Sequence, residues 1–311
     1  MGAGGASLRL ATRGSALALA QARIVAELLE RAEPGLSVEL VTVRTAGDER
    51  PPGGSAGDPG DKSRFVKEIE EALLARDAEL AVHSAKDVPG ELPDGLAIVA
   101  VPARADARDA LCGRASLAAL APGARVGTSS LRRRAQLLAA RGDLDVIELR
   151  GNVDTRLHRL AAGDFDAVVL ALAGLERLGR REGTPLDPET MTPAPGQGCL
   201  ALEARADDDR VAELADRVTD REALVRLTAE RAVTTELEAS CRTPIGVHAT
   251  LSDYGSPTLT IDTFVGAPNG SAWVRDRVEG ESEAPSELGR EAARRVLGAG
   301  AADILVAAEE A

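Results

Sequence analysis

The chain has 311 residues, a formal net charge of −13 from 37 Lys and Arg against 50 Asp and Glu, and 44% hydrophobic but only 2% aromatic residues. That length predicts two or three domains, each able to bury a core built from Leu, Val, Ile and Ala. An acid surplus with few stacking platforms argues against nucleic acid and anionic membranes as partners, so an anion site has to be a local cluster of arginine.

A short strand over residues 8–11 leads to a helix that Ser15 caps, that runs to about residue 31 and that Pro34-Gly35 stops. The Leu17-Ala18-Leu19-Ala20 stretch belongs to this helix and is too short for a signal-peptide core, while Met1-Gly2 lacks the Ser or Thr at position six that myristoylation needs. Residues 36–43 alternate as a strand. From 45 to 63 the text is Gly, Pro, Asp and Ser without apolar periodicity, a long loop of the kind that often serves enzymes as a lid. A helix over 64–75 and strands over 79–83 and 96–101 follow.

A second alternation starts after the connection 102–109: strand 125–127, a helix that begins with the run Arg132-Arg133-Arg134, strand 146–149, helix 153–162 and strand 167–171. Helices between strands predict a doubly wound α/β sheet in each half. The halves echo one another in Leu10-Ala11-Thr12-Arg13-Gly14-Ser15 and Val126-Gly127-Thr128-Ser129-Ser130, each a strand, a Thr, a Ser and a helix start. Pro193-Ala194-Pro195-Gly196-Gln197-Gly198 breaks the second half, and 199–203 reads as a strand that could return to the first sheet, so that two crossings would form a hinge. A helix over 221–239, strands over 246–251, 258–265 and 272–279, and terminal helices predict a small α+β domain with a three-stranded antiparallel sheet. Asn269-Gly270-Ser271 reads as its hairpin turn rather than as a glycosylation site. The predicted domains are residues 1–102 with 198–220, residues 103–197, and residues 221–311.

Arginine at the start of a helix opposes the macrodipole, at about 0.3–1 kcal/mol per residue, unless an anion lies near. Helix N-termini attract anions, and a guanidinium grips a carboxylate in two places. Arg13, Arg132, Arg133, Arg150 and Arg156 all fall at strand-to-helix turns. They read either as scattered surface charge or as the grip on a ligand with several carboxylates. Lys86-Asp87 follows the strand 79–83 and reads either as a turn pair or, among arginines, as a lone acid able to steady a cation or move a proton.

Cys112, Cys199 and Cys241 are odd in number and far apart, so no disulfide framework is expected, and Cys112 and Cys199 read as inert core residues. Cys241 stands at the end of the helix 221–239 beside Arg242, in a Ser/Thr/Pro turn, and reads equally as a reactive thiolate or as another inert thiol. His83, His158 and His248 show no metal-ligand spacing, and no metal is expected. Gly2-Ala3-Gly4-Gly5 precedes a strand instead of following one, and Gly60-Asp61-Lys62-Ser63 lacks the Gly-Lys pair of a phosphate loop, so nucleotide binding is unsupported.

Seven strings in order, Ala11-Thr12-Arg13-Gly14-Ser15, Phe65-Val66-Lys67-Glu68, Ala81-Val82-His83-Ser84-Ala85-Lys86-Asp87-Val88-Pro89, Gly127-Thr128-Ser129-Ser130-Leu131-Arg132-Arg133, Leu149-Arg150-Gly151-Asn152-Val153, Pro195-Gly196-Gln197-Gly198 and Cys241-Arg242-Thr243-Pro244-Ile245-Gly246, resemble the porphobilinogen deaminase family, also called hydroxymethylbilane synthase. The resemblance implies three domains, the first two like the lobes of solute-binding proteins. It also implies a monomeric, cytoplasmic transferase of porphyrin and haem biosynthesis that joins four porphobilinogen molecules and releases ammonia each time. It implies a dipyrromethane cofactor attached through a thioether to Cys241 and contacted by Lys86, Asp87, Thr128, Ser129, Ser130, Arg132, Arg133 and Arg150. Asp87 is then the catalytic residue, and Arg13, Ser15, Arg150 and Arg156 bind substrate. Arg134 has no counterpart in that set and is expected to face solvent. The family often has Lys-x-Gly-Gly-Lys-Gly-x-Phe in the loop, where this chain reads Asp58-Pro59-Gly60-Asp61-Lys62-Ser63-Arg64-Phe65; Lys62 keeps one basic position and is expected to touch substrate. The rival reading is a non-catalytic two-lobed binding protein for a small polycarboxylate, which would need neither Asp87 nor Cys241.

Overall fold

The computed structural model describes residues 6–44, 66–239, 243–252 and 257–309. The expected loop over 45–63 with its Lys62, and Cys241, lie outside these residues. In chain order the elements are β1 (Ser7–Arg13), α1 (Ala16–Ala32), β2 (Ser37–Val43), α2 (Lys67–Leu74), β3 (Leu80–Ser84), β4 (Leu96–Ala100), β5 (Asp109–Cys112), β6 (Arg125–Gly127), α3 (Leu131–Ala140), β7 (Asp145–Ile147), α4 (Val153–Ala161), β8 (Ala167–Ala171), α5 (Leu172–Arg177) and β9 (Thr184–Pro185). They continue as β10 (Leu200–Arg205), α6 (Asp209–Asp216), α7 (Arg221–Glu236), β11 (Ile245–Ser252), β12 (Thr258–Gly266), β13 (Trp273–Glu281), α8 (Pro285–Val296) and α9 (Ala302–Glu309). Contacts divide the chain into two units, Met1–Arg104 with Cys199–Leu224, and Ala105–Gly198 with Val225–Ala311.

The first unit holds a sheet in the order β2-β1-β3-β10-β4. Strand β1 runs parallel to β2 and β3, and β10 runs antiparallel to both β3 and β4. Leu8, Leu10, Val25, Leu29, Leu80 and Leu202 pack α1 onto one face of this sheet. Each such side chain contributes about 1.5–3 kcal/mol by leaving water. Ile69 and Leu73 of α2 cover the other face against Ala11 and Ala81.

The second unit repeats the plan with the order β7-β6-β8-β5-β9, in which β5 is the antiparallel strand. The short echo between the two strand-Thr-Ser-helix strings is therefore the trace of two sheets with one topology. Neither sheet is wholly parallel, as a doubly wound pattern suggests, because the fourth strand of each runs backwards. The strand expected over 199–203 does return to the first sheet as β10. Strand β5 begins on the last residue of the expected connection 102–109 and is not foreseen, since four fully buried residues headed by Asp109 carry no alternation.

The same unit carries the antiparallel sheet β11-β12-β13, as expected from the three late strands. Val233, Val247, Ile261, Leu288 and Val296 form its core with α7 and α8. Between β12 and β13, Gly270 has φ +74° and the Asn269 side chain accepts from the Ser271 N–H at 3.0 Å, so this segment is the turn that the sequence suggests. Helix α7 ends at Glu236, earlier than expected, where Glu238 turns left-handed at φ 49° and the Ala239 N–H closes onto the Thr234 carbonyl at 2.9 Å.

Candidate active site

In the first unit, the expected residues gather at the carboxyl ends of β1 and β3, which are parallel neighbours. Arg13 is the last residue of β1 and Ser15 caps α1, its side chain accepting from the Ala18 N–H at 3.3 Å. The buried Thr12 hydroxyl donates to the Ala18 carbonyl at 3.2 Å, which fixes the turn between strand and helix. After β3, a single 3-10 turn over Ala85–Asp87 carries Lys86 and Asp87. Gln21 of α1 donates to the Ser84 hydroxyl at 2.8 Å, and the Ala85 N–H donates to the Cys199 carbonyl at 3.1 Å. Arg13, Ser15, Lys86 and Asp87 thus come from three segments that are bonded to one another.

In the second unit, β6 delivers Thr128, Ser129 and Ser130 to the start of α3. Ser130 is its N-cap, its side chain accepting from the Arg133 N–H, and the buried Thr128 hydroxyl accepts from the Ser130 N–H at 3.1 Å. The arginine run then divides in a way that its sequence does not show. Arg132 and Arg133 turn inward and are 4% and 5% exposed. A guanidinium nitrogen of Arg132 lies 2.8 Å from Asp109 Oδ2 and donates to the Thr192 carbonyl at 2.6 Å. Arg133 donates to Asp109 Oδ1 at 2.7 and 3.1 Å and to the Val169 carbonyl at 2.8 Å. Part of the negative charge that the run calls for is therefore supplied by the chain itself.

Although burial works against it, the charges of Arg132 and then Arg133 hold the Asp109 carboxyl well below the ordinary carboxylate range. Burial, and to a lesser degree the charge of Arg133, draw Arg132 down, and Asp109 opposes both. Gln197, from the Pro-Gly-Gln-Gly segment, donates to the same Asp109 oxygen at 2.9 Å. Two cations face one anion here, so the cluster keeps a surplus of one positive charge. Asp109 and Gln197 are the residues that sequence reading passes over: Asp109 stands in a supposed connection, and Gln197 reads as part of a chain break.

Arg134 corrects an expectation. It is half-buried and donates to the Val146 carbonyl, since β7 runs beside the first turn of α3, so it does not simply face solvent. Arg150 pairs with Glu148 at 2.7 Å and stays largely exposed. Arg156, on the first turn of α4, donates to the Gly151 carbonyl at 2.8 Å and to the Ser129 hydroxyl at 3.3 Å. Among the described residues no carboxylate lies within ion-pair distance of it. Burial, and then the charge of Arg133, bring its pKa down to about 10.

The crossing back to the first sheet needs Gly198, whose φ is +90° and whose missing Cβ would stand 2.4 Å from the Ala105 carbonyl oxygen. Beside it, buried Glu230 of α7 accepts from the Gly196 N–H at 2.6 Å and from the Ala249 N–H at 2.8 Å. The late sheet approaches the same segment closely, for the Val247 N–H donates to the Pro193 carbonyl at 2.9 Å. Cys112 and Cys199 are buried, as expected of core thiols, and burial followed by Glu182 pushes Cys112 up to about 11.

Residues 8–213 match the family model described as "Porphobilinogen deaminase, dipyromethane cofactor binding domain", and residues 224–298 match "Porphobilinogen deaminase, C-terminal domain". The chain belongs to the porphobilinogen deaminase family. It is 46% identical over 298 residues to the porphobilinogen deaminase of Thermus thermophilus, covering 94% of this chain and 96% of the relative. To that of Deinococcus radiodurans it is 44% identical over 310 residues, covering 98% and 99%. Among solved structures, the methionine-binding protein MetQ is 16% identical with a TM-score of 0.43, over 70% of this chain and 93% of that one. Among the described residues no helix is long and apolar enough to cross a membrane, and no group of His, Cys, Asp and Glu could hold a metal ion.

Proposed function

We propose that this chain joins four porphobilinogen molecules head to tail into hydroxymethylbilane and releases one ammonia per addition, with a dipyrromethane group held on Cys241 as primer. The observation that carries this reading is Arg156, a half-buried guanidinium beside the Arg132-Arg133 pair, with no carboxylate in ion-pair range among the described residues. A donor set of guanidinium, hydroxyl and backbone N–H groups fits a ligand that presents acetate and propionate side chains. Bound dipyrromethane supplies an open pyrrole carbon to which the first substrate is joined.

The chain's own residues divide the remaining work. Arg132, Arg133 and Arg156, with Thr128, Ser129 and Ser130 at the start of α3, hold carboxylates, and Arg150 adds a movable charge once it leaves Glu148. Arg13, Ser15 and Lys86 do the same at the carboxyl ends of β1 and β3, with Lys62 as a further contact. When the aminomethyl C–N bond breaks, ammonia leaves with the electron pair and the pyrrole carries positive charge. Asp87 faces that charge through the pyrrole N–H, and once the open carbon of the existing terminal pyrrole has bonded to the cationic methylene, Asp87 accepts the proton that this carbon loses as its own ring regains aromaticity.

The three sheets support a division into domains at residues 1–102 with 198–220, 103–197, and 221–311. A monomer in the cytoplasm, with no nucleic-acid partner, completes the reading; the acid surplus supports the last part.

Intact-mass analysis of the protein as purified, combined with an assay of porphobilinogen consumption, tests the proposal. The expected result is an excess of two linked pyrrole units that Cys241→Ser removes, together with turnover that Asp87→Ala abolishes while the excess mass remains. A bare-chain mass with no turnover would leave the rival, a non-catalytic polycarboxylate-binding protein.

A further inference from the structure

A second polar cluster lies inside the first unit. His83 Nε2 approaches Glu203 Oε2 to 2.9 Å, out of line for a hydrogen bond, and the two side chains are 4% and 1% exposed. His83 is on β3, one residue before Ser84 and the turn that bears Lys86 and Asp87. Glu203 is on β10, and the strand register pairs His83 with Ala201 and Glu203 with Ala81, so the two side chains are diagonal neighbours on one face of the sheet. Helix α2 covers that face and adds the buried Glu70. Burial, and then the charge of Glu203, raise the Glu70 carboxyl toward its neutral form.

The cluster lies below the strand ends, not at them. A buried imidazole–carboxyl pair of this kind costs desolvation that its attraction at best offsets, and an apolar pair of similar volume packs at least as well. What such a pair can do better than leucines is specify register. A slip of β10 by one residue would turn Glu203 to the opposite face and part the two buried polar side chains. That register also sets the Ala85 N–H against the Cys199 carbonyl, the bond that opens the turn carrying Asp87.

We infer that the His83–Glu203 pair is a positioning device for the reaction, locking β10 against β3 so that the turn after β3 presents Lys86 and Asp87 in one fixed geometry. The inference rests on the proposed role of Asp87. Displacement of a reacting group by about 1 Å can cost on the order of 100-fold in rate, so a pair that never touches substrate can still control turnover.

The test uses holoprotein with its pyrrole content checked by intact mass, and compares the parent with Glu203→Gln and with the double variant His83→Leu/Glu203→Leu. Glu203→Gln keeps a carbonyl oxygen of the same shape against the imidazole and should hold kcat within threefold. The apolar pair should keep its urea midpoint and its KM within threefold, yet lose kcat at least tenfold. A double variant with kcat within twofold of the parent would overturn the inference, as would Glu203→Gln falling as far as the double variant. If the double variant does not yield folded holoprotein, His83→Gln is compared with Glu203→Gln by the same criteria. A parent that carries pyrroles but does not turn over would refute the role of Asp87 instead, whatever the variants do.

Discussion

Asp109 shows how one carboxylate reshapes the meaning of three arginines. Alone, Arg132, Arg133 and Arg134 are an electrostatic fault at a helix start; with Asp109 between them, the first two are the walls of a buried cluster. Removing one member of a buried ion pair costs about 3–5 kcal/mol, because the partner charge stays behind in low dielectric. Asp109→Asn should therefore lower the urea-unfolding free energy by roughly that amount. The sign with pH follows from the depressed carboxyl. Its contribution is present above the unfolded value of about 3.9 and is lost as pH falls toward the lower folded value. Below about pH 4 the parent should lose stability more steeply than Asp109→Asn, which an acid titration followed by circular dichroism would show. Within the run, Arg132→Gln and Arg133→Gln should each lower turnover more than tenfold, whereas Arg134→Gln should cost only the bond to Val146, about 1 kcal/mol, and leave turnover within twofold. Equal losses at all three positions would contradict this division.

At the level of elements, the crossing strands explain both what can be read from the sequence and what cannot. Helix α1 is legible to within a residue because Ser15 and Pro34-Gly35 mark its ends chemically, and β11, β12 and β13 are legible because they alternate and turn at Asn269-Gly270. Strand β5 is not, because a short strand buried on both faces carries no period, and its first residue is a carboxylate whose partners are 23 and 24 positions away (132 − 109 and 133 − 109). The same limit hides Glu230: a glutamate inside a helix reads as surface until its two backbone partners are known. Those partners give a measurable expectation. Glu230→Ala leaves the Gly196 and Ala249 N–H groups buried without acceptors, at about 1–3 kcal/mol each. Urea unfolding should register a loss of this size even when the late sheet keeps its circular-dichroism signature. Gly198→Ala strains the neighbouring crossing, since no side chain fits 2.4 Å from the Ala105 carbonyl oxygen, and should act in the same direction.

Over the whole molecule, the net charge of −13 and the local surplus of arginine pull in opposite directions. The global charge repels a dicarboxylate at long range, beyond a Debye length of about 8 Å in physiological salt, where screening makes it weak. Close to α3 and α4, Arg132, Arg133 and Arg156 outnumber Asp109 by two charges, and burial leaves them poorly screened. Protein that lacks bound carboxylates should thus keep unrelieved repulsion in its second unit. Any ligand that binds the folded but not the unfolded chain adds RT ln(1 + [L]/Kd) to stability, and a covalently held ligand keeps that gain without depending on concentration. Cys241→Ser, recovered without the pyrrole mass, should accordingly unfold at lower urea than the parent. Sulfate should narrow that gap more than chloride at equal ionic strength, because it can sit between guanidinium groups as carboxylates would. Equal unfolding midpoints for the two proteins in both salts would mean that Asp109 alone balances the cluster, and that Arg132 and Arg133 hold the fold rather than the ligand.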